Sequence, residues 1–223
     1  AGKLSALGQM SAGISHELNQ PLMAIQSFAE NGEMLIERGR TEGAEENFRR
    51  ISEMARRMGR IIKNLRAFAK QEVEPAKKTD VVSVINEAVA MSEGKIERGQ
   101  ITLDWVPPSE PVWVLGGEVR LQQVLVNLIS NAADAITEAG ADQRQISVGV
   151  TQGEKVTVTV RDTGPGIDEP EKIFDPFYST KAVGSAEGMG LGLSISYGLV
   201  QSFGGAITGQ NAPGGGAVFS IEL

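Results

Sequence analysis

From Phe48 to Ala69, apolar residues recur in alternating steps of three and four: Phe48, Ile51, Ala55, Met58, Ile62, Leu65 and Ala69. That spacing is an a/d heptad pattern, and it commits the segment to a helix with an apolar seam. A comparable stripe, Leu7, Met10, Ile14, Leu18, Pro21, Ile25 and Phe28, marks a helix before it. The pattern predicts helices over 3–38 and 44–70, joined through Gly39 to Gly43. Two helices in about 70 residues bury too little surface to stand alone. Pairing two hairpins into a four-helix bundle removes the deficit. Residues 1–72 are therefore expected to form a homodimer.

Glycine separates this part from the rest. Residues 44–58 contain none, whereas 184–216 contain eleven, the mark of a second part full of tight backbone turns. The stretch around Pro75 lacks periodicity and serves as a linker over 73–79, leaving 80–223 as a second domain. Asp80 reads as the N-cap of a helix through about Met91. Strand-like runs follow at Ile101–Trp105, Val112–Leu115, Ile146–Thr151, Lys155–Arg161, Ala206–Gly209 and Ala217–Glu222. Helices fall at about 118–139 and 190–203, and a hairpin is expected at Gly153-Glu154. Strands interleaved with helices in this way predict an α/β sandwich with a mixed sheet.

Composition closes off several functions. The 223 residues include no cysteine, which excludes disulfides and thiolate metal sites. Twenty-eight acidic residues against 21 basic ones give a net charge of −7, which argues against nucleic acid as a partner. No apolar run approaches the ~20 residues of a membrane helix, so no direct membrane contact by these residues is expected.

Four short motifs occur in order across the second part. Asn127-Leu128-Ile129-Ser130-Asn131-Ala132-Ala133-Asp134 lies on a predicted helix, with Asn127 and Asn131 sharing a face. An Asn carbonyl can ligate Mg2+, although a pair of solvent-facing amides reads as readily. Asp162-Thr163-Gly164-Pro165-Gly166-Ile167 follows a strand. Its carboxylate can accept a hydrogen bond from an adenine amino group, and a plain surface turn would look much the same. Phe174-Asp175-Pro176-Phe177 comes next, then Tyr178-Ser179-Thr180-Lys181. Gly188-Met189-Gly190-Leu191-Gly192-Leu193 opens a helix, where backbone N–H groups and the helix dipole favour phosphate. Gly204-Gly205 and Gly214-Gly215-Gly216 read as hairpin turns.

Together these motifs resemble the N, G1, F and G2 boxes of the GHKL ATPases in their histidine-kinase version. The resemblance spans roughly 115–222 and implies a Bergerat-type α/β sandwich that binds ATP under a lid at about 179–189. It implies Asn131 as the Mg2+ ligand and Asp162 as the adenine acceptor. Lys181 and the amides of Gly190 and Gly192 would serve the phosphates, with Asn127, Asp134, Gly164, Gly166, Gly188 and Leu191 completing the site. Relatives often have Gly-Asp ahead of the N box, where this chain has Gly116-Gly117-Glu118.

The chain's one histidine, His16, lies in Ser15-His16-Glu17-Leu18-Asn19-Gln20-Pro21-Leu22. At ~100° per residue, Ile14, Leu18, Pro21 and Ile25 cluster within about 60°, and His16 falls nearly opposite. Taken alone it reads as a surface histidine. Glu17, however, is placed to take the imidazole proton and leave a nucleophilic nitrogen. Pro21 cannot donate to the Glu17 carbonyl, which loosens the helix there. This octet resembles the H box of histidine kinases, over residues 3–70. With Ala24-Ile25-Gln26-Ser27-Phe28-Ala29-Glu30-Asn31 it is most similar to the four-carbon dicarboxylate sensor kinases.

That resemblance implies autophosphorylation on His16, transfer to an aspartate of a response regulator, and phosphatase activity on that regulator. Where many relatives carry Thr or Asn to position water, this chain has Gln20. The opening Ala-Gly-Lys-Leu reads as a cut within a helix, so a sensor and membrane anchor are expected upstream of a cytoplasmic portion. A non-kinase GHKL ATPase would share the nucleotide motifs but has no use for the H box. A scaffold would not need Asn131, Asp162, Gly190 and His16 all intact.

Overall fold

A computed structural model describes residues 2–69, 77–140, 142–176, 178 and 190–223, with side chains in the first two helices from residue 18 to 59 and at 61 and 62. The chain divides into two compact units: a helical hairpin, and an α/β unit running Glu72–Tyr178 and Gly192–Leu223. Among the described residues no helix is long and apolar enough to cross a membrane.

In the hairpin, α1 (Gly2–Glu37) and α2 (Thr41–Ala69) pack along their lengths. The turn between them depends on Gly39, whose φ of +69° is a left-handed conformation that side chains resist. Its N–H donates to the Ile36 carbonyl at 2.9 Å, and Arg40 N–H donates to the Leu35 carbonyl at 2.8 Å, closing the end of α1. The helix continues through Pro21, which is buried.

The seam expected on α2 divides in two. Ala44, Asn47, Arg57 and Ile61 are buried, and Ile51, Met54 and Met58 half-buried, so the line facing α1 runs 44, 47, 51, 54, 58, 61. Phe48, Ala55 and Ile62 face outward, Phe48 being 54% and Ile62 42% exposed. A helix that serves two neighbours needs an apolar face wider than one a/d line. Heptad spacing alone merged the two lines. Leu65 and Ala69 of the expected stripe, and side chains of the α1 stripe before residue 18, lie outside the described residues.

The α/β unit opens with β1 (Lys77–Asp80), which pairs antiparallel with β3 (Trp113–Gly116). Lys77 to Thr79 were expected to belong to the linker. Four residues with two lysines carry no strand period, and the pairing comes from β3. Between them, α3 (Val81–Arg98) runs a turn or more past its expected end at Met91, and β2 spans Thr102–Asp104. The remaining elements are α4 (Glu118–Ala139), β4 (Gln145–Gln152), β5 (Val156–Asp162), α5 (Gly192–Ser202), β6 (Ala206–Asn211) and β7 (Ala217–Glu222).

The main sheet has the order β2-β4-β5-β7-β6, with β2 and β4 parallel and the other pairs antiparallel. The mixed sheet and the β4–β5 hairpin are as the sequence predicts. α4 packs on β4 and β5, flanked by α3 and α5. Alternate residues Ile146, Val148, Val158, Val160, Phe219 and Ile221 turn inward to meet it.

Asp80 caps α3 as expected. Its Oδ1 accepts from Val82 N–H at 3.1 Å and also from Val112 N–H at 3.1 Å. One carboxylate thus starts the helix and holds the approach to β3. Asp80→Ala should lower unfolding stability by about 2 kcal/mol, the upper end for a lost N-cap, while Asp80→Asn keeps most of it. Urea unfolding of both variants checks this, and equal losses would show that the charge alone matters.

Candidate functional site

Helix α4 buries Leu121, Val124, Leu125, Leu128, Ile129 and Ile136, which leaves Asn127 and Asn131 half-buried, four residues apart on the same helix. Asn127 Nδ2 donates to Ser196 Oγ of α5 at 3.0 Å. A Cβ at Gly192 would lie 2.6 Å from Asn127 Oδ1, so the start of α5 can approach α4 only as glycine. That gives Gly192 a packing role that glycine spacing does not reveal. Gly190 has φ +63°, again a conformation suited to glycine, and Leu191 is buried.

Asp134 is placed differently. It is 8% exposed, and its Oδ1 is 2.5 Å from Lys95 Nζ of α3, which also donates to Ser130 Oγ at 2.7 Å. Sequence reasoning grouped Asp134 with the nucleotide residues; in the structure its carboxylate joins α3 to α4. Lys95 was missed because the expected helix stopped short of it, and no local signal pairs it with a residue so far along the chain.

Asp162 ends β5 and is 3% exposed. Its Oδ1 accepts from Gly164 N–H at 2.8 Å and from Ala217 N–H at 3.2 Å, and both of its bonds to described residues fall on that oxygen. Burial pushes the carboxyl above its usual range, opposed by those two N–H groups and by the charge of Arg161. A buried carboxylate with one oxygen bonded twice and the other without a donor among the described residues fits an incoming N–H donor such as an adenine amino group. Where Gly164 stands, a Cβ would lie 3.2 Å from Ala135 Cβ, so the turn lies directly against α4.

The turn after Asp162 is held from several sides. Thr163 Oγ1 donates to the Gln143 carbonyl at 2.6 Å and accepts from Gln145 N–H at 3.0 Å. Gly166 has φ +90°, and Ile167 is gripped by the Asn211 side chain. Gly216 does lie in a hairpin turn, but a Cβ there would overlap the Asp162 carbonyl oxygen. Phe174 stacks at 5.5 Å on Tyr197 of α5. Sequence reasoning missed Ser196, Asn211 and Ala217, all of which act through contacts between elements.

Lys181, Gly188, Phe177 and the expected lid at 179–189 lie outside the described residues, as do the side chains of His16 and Glu17. The backbone of both is helical within α1, and Gln20 is half-buried there.

The family described as histidine kinase-, DNA gyrase B- and HSP90-like ATPase matches residues 116–223, and the His Kinase A (phospho-acceptor) domain matches residues 6–74. The solved catalytic domain of histidine kinase ThkA is 32% identical, with a TM-score of 0.57, over 67% of this chain and 95% of that one. The chain belongs to the histidine kinases.

Among curated relatives of this histidine kinase, the C4-dicarboxylate transport sensor protein DctB of Pseudomonas aeruginosa is 40% identical over all of this chain and 36% of its own length. DctB of Rhizobium meliloti is 35% identical over all of this chain and 35% of its own. The structure of ThkA in complex with response regulator protein TrrA matches with a TM-score of 0.74 at 27% identity, covering 100% of this chain and 63% of that one. The chain spans about a third of the length of these curated relatives.

Removing the Lys95 ammonium would take the facing cation from Asp134, a nearly buried charge. Fully buried pairs lose roughly 3–5 kcal/mol when broken, and the Lys95 side chain is 27% exposed, so Lys95→Met should cost about 2 kcal/mol. Lys95→Met combined with Asp134→Leu should recover most of the loss. Urea titrations of the three proteins test this, and no recovery in the double variant would show that Lys95 acts through other contacts.

Proposed function

We propose that the chain is the catalytic core of a sensor histidine kinase, which phosphorylates itself on His16 with ATP and passes the phosphoryl group to an aspartate of a response regulator. One observation carries this reading: the chain's sole histidine stands on a helix matched to the phospho-acceptor domain, in the same chain as the ATPase unit.

The imidazole nitrogen of His16 attacks the γ-phosphorus. The N–P bond forms as the bond to the bridging oxygen breaks, ADP leaves, and the proton on the other ring nitrogen passes to Glu17. Asp162 receives the adenine amino group on the oxygen to which no other described residue donates, and Gly164 and Gly166 shape the turn beside it. Lys181 and the amides at Gly188, Gly190, Leu191 and Gly192 serve the phosphates, the amides at the start of α5 being oriented for anions. Asn127 braces α5 against α4. Asn131, whose amide no hydrogen bond ties to other described residues, offers its oxygen to Mg2+. That ion would neutralise charge on the phosphate oxygens.

The outward line of Phe48, Ala55 and Ile62, with Met34 and Ile36 also exposed on α1, supports a homodimeric four-helix bundle. Gln20 would orient water for dephosphorylating the regulator. The similarity to DctB supports a four-carbon dicarboxylate sensor as the parent, with its sensing and membrane segments in the remaining length and this portion cytoplasmic.

His16→Gln should abolish acid-labile label from γ-labelled ATP while ADP binds as before; residual label at the wild-type level would refute the assignment. Asn131→Ala should lower labelling by at least about 100-fold with the fold intact. Normal Mg2+-dependent labelling in that variant would place the ion elsewhere.

Asp162→Asn separates stability from function. Because burial raises the folded pKa, the stability this group contributes is present at low pH and lost as pH rises through that raised value. At pH 7 the amide should therefore unfold no earlier than wild type, yet bind ADP much more weakly, since its NH2 would meet the adenine NH2. In the wild type, ADP affinity should fall with decreasing pH already above the ordinary carboxylate range. Thermal melts and calorimetry across pH check both, and unchanged ADP affinity in Asp162→Asn would remove the adenine role.

A further inference from the structure

The turn Asp162–Ile167 rests at both ends on the hairpin formed by β6 and β7. At its start, Ala217 N–H donates to Asp162 Oδ1 at 3.2 Å, and Gly216 presses on the Asp162 carbonyl. Arg161 Nη2 reaches across to the Pro213 carbonyl at 2.9 Å. At its end, Asn211 makes a two-point hold: its Oδ1 accepts from Ile167 N–H at 2.6 Å, and its Nδ2 donates to the Ile167 carbonyl at 2.9 Å.

A single planar amide that both accepts from and donates to one residue copies the pairing of a neighbouring strand. It fixes Ile167 in position and in orientation. Gly166 is locked in the same contact. Its φ is +90°, and a Cβ there would lie 2.6 Å from Asn211 Oδ1. The turn is thus pinned by the Asp162 carboxylate at one end and by the Asn211 amide at the other. Asn211 itself is exposed, so it adds little to the core, and its effect on the turn can be separated from its effect on folding.

We propose that Asn211 is a positioning residue for base recognition, which sets the geometry of the adenine-binding turn through Ile167 and Gly166. This rests on the reading of Asp162 as the adenine acceptor. The Asn211 hold concerns the base and not the phosphates, so its loss should weaken recognition of adenine more than the chemical step.

The test compares wild type, Asn211→Ala and Asp162→Asn in the 223-residue chain. ADP and GDP affinities are measured by calorimetry, KM and kcat for self-labelling with ATP, and amide exchange at Ile167 by NMR. In Asn211→Ala, loss of two hydrogen bonds should lower ADP affinity about tenfold and narrow the ADP-over-GDP preference by a similar factor. KM for ATP should rise with kcat nearly kept, Ile167 should lose exchange protection, and the unfolding midpoint should move by no more than ~3 °C.

An unchanged ADP-over-GDP preference in Asn211→Ala would overturn the inference. So would equal weakening of ADP and GDP with a large fall in the midpoint, or an unprotected Ile167 amide in the wild type. If Asp162→Asn loses the preference and Asn211→Ala keeps it, only the inference fails. If Asp162→Asn keeps it, the adenine reading fails and the inference with it.

Discussion

Burial of the apolar face of α4 fixes where the polar groups that this helix contributes to the α/β unit's site can stand. Leu121, Leu125, Leu128, Ile129 and Ile136 are wholly enclosed with Val124, and at about 1.5–3 kcal/mol each their summed burial outweighs any single polar contact in the unit. With that face committed, the helical period leaves Asn127 and Asn131 at the border of the core. It turns Asp134 toward α3, where Lys95 meets it. The site is the polar remainder of a packing solution.

The two nearly buried carboxylates of the unit are treated in opposite ways. Asp134 has a cation at 2.5 Å and so a compensated charge. Among the described residues Asp162 has only backbone N–H groups, with the Arg161 charge as a weaker aid, and burial prevails in its pKa. With no facing cation among the described residues, the ionised form of this buried carboxylate costs stability at neutral pH. Its second oxygen, which accepts from no other described residue, is the one proposed for the adenine amine.

In the hairpin, the same apolar sequence serves two contacts. The line from Ala44 to Ile61 joins α2 to α1, and the line of Phe48, Ala55 and Ile62 is left over. Buried Asn47 interrupts the inner line, and a buried polar group in a helical seam favours one register over others. Helical packing within one chain thus leaves an apolar face open to a further helix.

The sequence by itself determined whatever depends on local order along the chain. Heptad spacing specified the two long helices, Gly39 the turn between them, Asp80 the cap of α3, and alternation the strands β4, β5 and β7. The motif residues Asn127, Asn131, Asp162, Gly164 and Gly166 could be proposed from the sequence because their chemistry and spacing are written in short segments. Tertiary structure decided what depends on two segments meeting. Lys77 to Asp80 became a strand because β3 lies beside it, and α3 ran on to Arg98, where Lys95 finds Asp134 and Ser130. Gly192 is glycine for the sake of Asn127 as well as its own turn, and Asn211 holds Ile167 from 44 residues away. Local propensities act over a turn of helix or a pair of strand residues, whereas these contacts exist only once the sheet has brought its strands into order. No reading of either segment alone contains them.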